Sequence, residues 1–157
     1  MIEMNKKHNM EDKKNQTENS TSSVDTIPKV TGIGGISFFS DSPKEMKEWY
    51  AKNLGLEINE HGYYSFEFRN LNKPEEVGTL AWNLFKKGSE YFAPSKKEFM
   101  INYRIQNLEG LLLKLKESGV TILDEIATYD FGKFVHIMDA EGNKIELWEP
   151  VDDKRGL

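Results

Sequence analysis

Hydrophobic and polar positions alternate along this chain in two registers, and the switch between them marks out its elements. Residues 34–60, "GGISFFSDSPKEMKEWYAKNLGLEINE", and 99–125, "FMINYRIQNLEGLLLKLKESGVTILDE", follow one plan: short apolar strand, polar break, amphipathic helix, glycine, second strand. In the first helix Met46, Trp49, Tyr50 and Leu54 recur at i, i+3, i+4 and i+8. Ser42 is placed to cap it, Pro43 suits its first position, Glu45 completes a capping box, and Gly55 ends it. In the second, Asn107 is the cap, Leu108, Leu111, Leu112 and Leu115 form the stripe, and Gly119 closes it. Both stripes read as core.

Period-two alternation takes over after each helix. "YYSFEFR" (63–69) and "GTLAWNLF" (78–85) follow the first; "KFVHIMD" (133–139) and "KIELWEP" (144–150) follow the second and pair across "AEGN". Each half thus reads β-α-β-β-β. The expected fold class is α+β: two βαβββ modules, residues 28–92 and 93–151, forming one domain whose curved sheets share an open trough. In the closing strand, Ile145 and Leu147 share one face, and Glu146 and Trp148 share the other. That second face is either wet or lines the trough.

Composition sharpens the boundaries. Residues 1–27 hold nine charged residues and none of the eighteen aromatics. Such a segment cannot bury enough apolar surface to offset its ordering entropy, so it reads as a disordered polar tail; residues 152–157 read as a C-terminal tail. The net charge is −5, of which the first 27 residues carry −1. An acidic domain without a basic stripe argues against nucleic acid as partner. No apolar run is long enough to span a bilayer, and no export signal or cysteine is present, so no membrane and a cytoplasmic location are the expectation.

The doubled plan, "EMKEWYAKNLGLEI" and above all "DAEGNKIELWEP" resemble the vicinal oxygen chelate superfamily, the glyoxalase, bleomycin-resistance and extradiol-dioxygenase group, over about residues 30–150. The ending is close to that family's Asp-Pro-x-Gly-Asn-x-Ile-Glu-Leu, with Ala140 in place of the proline. The resemblance implies a homodimer, and in metal-dependent members a divalent ion held by two to four His or Glu side chains. Carried onto this sequence, those positions fall at Gly35, within Ala81–Asn83, near Met100 and at Glu146. Only Glu146 is a good ligand. No metal or other cofactor is therefore expected; a divalent ion is the alternative, with Glu146 its first ligand.

Alternation places Ser37 and Phe39 on the trough face of the first strand, and Met100, Asn102 and Arg104 on that of the second module's first strand. Trp148 joins them, with Trp82, as ligand-binding candidates. Glu146 and His136, on neighbouring strands, are the candidate catalytic pair. Arg104 either pairs with Glu146 or offers its planar fork to a ligand carboxylate. Three functions follow. The first is metal-free binding of a small organic molecule. The second is a lyase, isomerase or dioxygenase with an atypical site on Glu146. The third is a non-catalytic interaction domain whose trough is filled by side chains.

Overall fold

The computed structural model describes residues 25–154. Its elements run β1 (Lys29–Ser40), α1 (Pro43–Leu54), β2 (Tyr64–Arg69), β3 (Glu76–Lys86), a 3-10 turn (Glu90–Phe92), β4 (Phe99–Gln106), α2 (Leu108–Glu117), β5 (Thr121–Ile122), β6 (Ala127–Tyr129), β7 (Gly132–Met138), β8 (Lys144–Pro150) and β9 (Asp153–Lys154). The strands form one mixed sheet in the order β2-β3-β1-β4-β8-β7-β5, with β6 on β7 and β9 on β3. The duplication is plain in this order. β1 and β4 pair antiparallel at the centre, each is flanked by a parallel strand (β3, β8), and each of those by an antiparallel one (β2, β7).

Both helices form where the apolar stripes placed them, but they bury those stripes unequally. Leu108 and Leu112 of α2 join Ile105, Val135, Ile137 and Leu147 in the main core. The Asn107 side chain accepts from the Gly110 N–H at 3.0 Å, as a cap should. In α1 no residue is fully buried, the Ser42 hydroxyl makes no capping hydrogen bond, and Trp49 and Leu54 are half exposed. Tyr50 alone makes a close ring contact with the sheet, edge-on to Trp82 at 4.6 Å.

Three boundaries differ from the sequence reading. The strand expected after α1 does not form: the Leu56 and Glu57 N–H groups donate back to the Tyr50 and Gly55 carbonyls, and the Asn59 side chain accepts from the His61 and Tyr63 N–H groups to turn the chain just beyond. The C-terminal tail does not begin at 152, since Asp152 is buried in an ion pair with Arg104 and β9 pairs with β3. The expected N-terminal tail lies outside the described residues except for Asp25–Ile27, whose carbonyls at Thr26 and Ile27 accept from Asn107 and Gln106.

Candidate functional site

The turn that closes the β7–β8 hairpin fixes the register on which the site depends. The Asp139 carboxylate accepts from the N–H groups of Glu141 and Asn143 and from the Asn143 amide, at 2.9, 2.8 and 2.7 Å. Gly142 takes the positive φ of 80° that the turn demands. His136 then stands directly across from Glu146, and Phe134 from Trp148. Their neighbours Val135, Ile137 and Leu147 go into the core beneath α2. The carboxylate and the indole therefore share the face that α2 leaves uncovered.

That face is the floor of a trough of about 850 Å³. A single row crosses it from strand to strand: Ala81, Gly35, Asn102, Glu146, His136. Glu146 is the hub. Its Oε1 accepts from the Asn102 amide at 2.7 Å, and its Oε2 accepts from the Tyr91 hydroxyl at 2.6 Å and faces His136 Nε2 at 3.0 Å. On the far side of the imidazole, Nδ1 lies 2.6 Å from the Asp124 carboxylate, whose other oxygen accepts the His136 main-chain N–H at 2.7 Å. Both ring nitrogens thus face carboxylates, an arrangement that only the doubly protonated ring satisfies with two donors.

The electrostatics follow from that geometry. Burial drives the Glu146 carboxyl up, but the hydrogen bonds from His136, Tyr91 and Asn102 outweigh it, so its pKa falls below the ordinary 4.5. For His136 burial works against the imidazolium, yet the bonds to Glu146 and Asp124 prevail and its pKa rises above 6.5. Burial first, then the charge of Glu146, keeps the Tyr91 phenol protonated far above its usual range.

The structure distributes the sequence-predicted residues unevenly. Ser37, Asn102, His136, Glu146 and Trp148 line the trough. Trp82 does not: it points to the opposite face, against Phe38 and Tyr50. Phe39 is stacked on Phe92 at 4.3 Å. Met100 is fully buried at that same end of the floor. Arg104 does not pair with Glu146. Its guanidinium is taken by Asp152 and by the Thr79 carbonyl at 2.9 Å, and it lies between the rings of Phe68 and Trp148. Asp124 and Tyr91 were missed, as were the mouth aromatics Tyr63, Tyr129 and Phe131.

The donor set does not suit the divalent ion of the metal-dependent vicinal oxygen chelate proteins. Along the row that carries Glu146, the other strands offer Gly35, Ala81 and Asn102, the last being the counterpart in place of Met100, and His136, whose two ring nitrogens already face Asp124 and Glu146. Both Glu146 oxygens are already hydrogen-bonded. Among the described residues no three His, Cys, Asp or Glu side chains converge on a point that could hold an ion.

Comparison with known proteins bears on the fold. The family model of the Glyoxalase/Bleomycin resistance protein/Dioxygenase superfamily matches residues 32–147. No curated protein matches the chain. Among solved structures, a methylmalonyl-CoA epimerase in complex with methylmalonyl-CoA and NH4+ is similar with a TM-score of 0.58 at 16% identity, covering 82% of this chain and 100% of that one. A Streptomyces coelicolor methylmalonyl-CoA epimerase variant in complex with 2-nitronate-propionyl-CoA gives 0.57 at 17%, covering 78% and 99%. The Mycobacterium tuberculosis methylmalonyl-CoA epimerase gives 0.48 at 22%, covering 78% and 89%. At these identities the likeness to the first two is one of fold.

Proposed function

The chain belongs to the Glyoxalase/Bleomycin resistance protein/Dioxygenase superfamily, and from that premise we propose that it binds a small organic molecule in the trough between its modules without the family's divalent metal. The observation that carries this reading is the open trough itself, about 850 Å³ with aromatic walls and a few converging polar groups. Its size and lining are those of a small-molecule pocket. A vestigial interaction domain with a filled trough does not account for that space.

Binding is favoured over catalysis by the state of the polar groups. A general base works best when its pKa lies near the operating pH. Glu146 is held low and its oxygens are occupied; the His136 pKa is raised by its two carboxylate partners, and both its ring nitrogens are engaged. The network orients and charges the floor, and offers no free base.

The test is thermal melting of metal-stripped protein against nickel, zinc, manganese and iron(II), and in parallel against a panel of small aromatic molecules, read also by tryptophan emission. A ligand at a hundredfold excess over its Kd adds ~2.7 kcal/mol, a rise of several degrees in Tm. The expected result is a rise with organic ligands, lost in Trp148→Ala, and none with any ion. A rise with one ion that disappears in Glu146→Ala overturns the metal-free reading.

A further inference from the structure

Resting on that trough-binding reading, we propose that the ligand is an organic cation: an amine or quaternary ammonium group on an aromatic or aliphatic body. The charges that face the trough decide its sign. Asp124, Glu125 and Glu146 line it, and among the described residues the only lining side chains able to carry a positive charge are His61 and His136, so carboxylates outnumber cations whatever the state of the two imidazoles. Glu125, exposed at the mouth, has no hydrogen-bond or ion-pair partner among the described residues.

The cations that could balance this surplus are turned away. Arg104 is the residue a ligand carboxylate would need, but Asp152 holds it and its side chain is only 5% exposed. Lys144 donates to the Tyr91 carbonyl at 2.7 Å and lies 5.2 Å from the Tyr91 ring. Lys133 is taken by Glu109 and Glu149. An anionic ligand would thus enter a trough rich in carboxylates with Arg104, Lys144 and Lys133 all engaged elsewhere, whereas a cation is drawn in.

The walls point the same way. Tyr129 and Phe131 stack parallel with ring centres 5.2 Å apart, and both are more than half exposed although they line the mouth. Phe134 and Trp148 form a second stacked pair deeper in, and Tyr63 stands on the opposite rim. Ring faces around a cavity attract cations through their quadrupoles.

The experiment uses three probes on one naphthalene scaffold, carrying a trimethylammoniomethyl, a neopentyl or a carboxymethyl group, titrated calorimetrically into the full chain. The expected result is that the ammonium probe binds at least about tenfold more tightly than both others. Glu125→Gln and Tyr129→Leu are expected to narrow that gap, because the first removes the unpaired charge and the second a ring face while keeping apolar area. Equal or tighter binding of the neutral or anionic probe overturns the cation assignment and leaves trough binding standing. Failure of all three overturns both. Cation binding that neither substitution weakens places it outside the trough and also overturns the assignment.

Discussion

Removing the Asp152 carboxylate is expected to cost more than any other single surface-proximal change. In Asp152→Ala the Arg104 guanidinium keeps the Thr79 carbonyl and the rings of Phe68 and Trp148, but loses the counter-charge that Asp152 supplies. The two side chains are 5% and 8% exposed, so water cannot take the place of the carboxylate without opening the packing. Breaking one partner of a buried pair costs about 3–5 kcal/mol. With an unfolding entropy near 2.1 cal/mol/K per residue over the roughly 130 residues from Asp25 to Lys154, that loss lowers Tm by ~11–18 °C. The assay is urea unfolding with a thermal melt on the same samples. Arg104→Met combined with Asp152→Leu supplies the control: with both charges gone, stability should return most of the way, because an apolar pair of similar volume is often neutral relative to a buried ion pair. A loss below about 1 kcal/mol in Asp152→Ala, or a double variant at least as unstable as that single one, would refute the assignment of a desolvated, closed Arg104.

Two further outcomes concern the floor of the trough. The raised pKa of His136 gives stabilisation that is complete below about pH 6.5 and is lost as pH rises through its folded value; the lowered pKa of Glu146 gives stabilisation complete above about pH 4.5 and lost as pH falls through its folded value. Stability from this network is therefore greatest between those limits. His136→Gln should flatten the alkaline decline, and Tyr91→Phe should cost about 1–2 kcal/mol and move the acid limb to higher pH, both read by urea midpoints across pH; an unchanged profile in both variants contradicts the network. Gly34→Ala places a methyl carbon 2.1 Å from Asn102 Oδ1 and 2.8 Å from the Trp148 ring. It should cost about 1–3 kcal/mol and disturb the seating of both side chains, visible as altered tryptophan emission; a neutral substitution would mean that the floor is looser than the geometry implies.

What the sequence revealed was the face on which a residue lies; what it concealed was whether that face stays open. Period-two reading put Glu146, Trp148, Asn102 and Ser37 on the trough side, and they line it. It put Met100 and Arg104 there too. The first is buried at the end where Phe92 stacks on Phe39, and the second is sealed by Asp152, a residue 48 positions away. Trp82 sits one residue out of step with Ala81 and Asn83, which do face the trough. Tyr91 and Asp124 come from a 3-10 turn and a loop, where no periodicity points anywhere. An aromatic pair, Tyr91–Phe92, in the otherwise polar stretch between the modules was the one available signal. The failed strand after α1 was hidden for a similar reason: the Leu56 and Glu57 N–H groups are spent on the Tyr50 and Gly55 carbonyls and Asn59 turns the chain just beyond, which no hydrophobic pattern records.

The two halves of the sheet, alike in plan, have divided their labour. The first contributes mostly small or neutral side chains to the floor, Gly35, Ser37, Ala81 and Asn83, while the second contributes Asp124, Phe134, His136, Glu146 and Trp148. Duplication has left one copy to set the room and the other to hold the conversation. Substituting larger residues at Ser37 or Ala81 would reshape the trough without disturbing the charges, so in a chain of this design shape can change through one half while the other keeps its electrostatics.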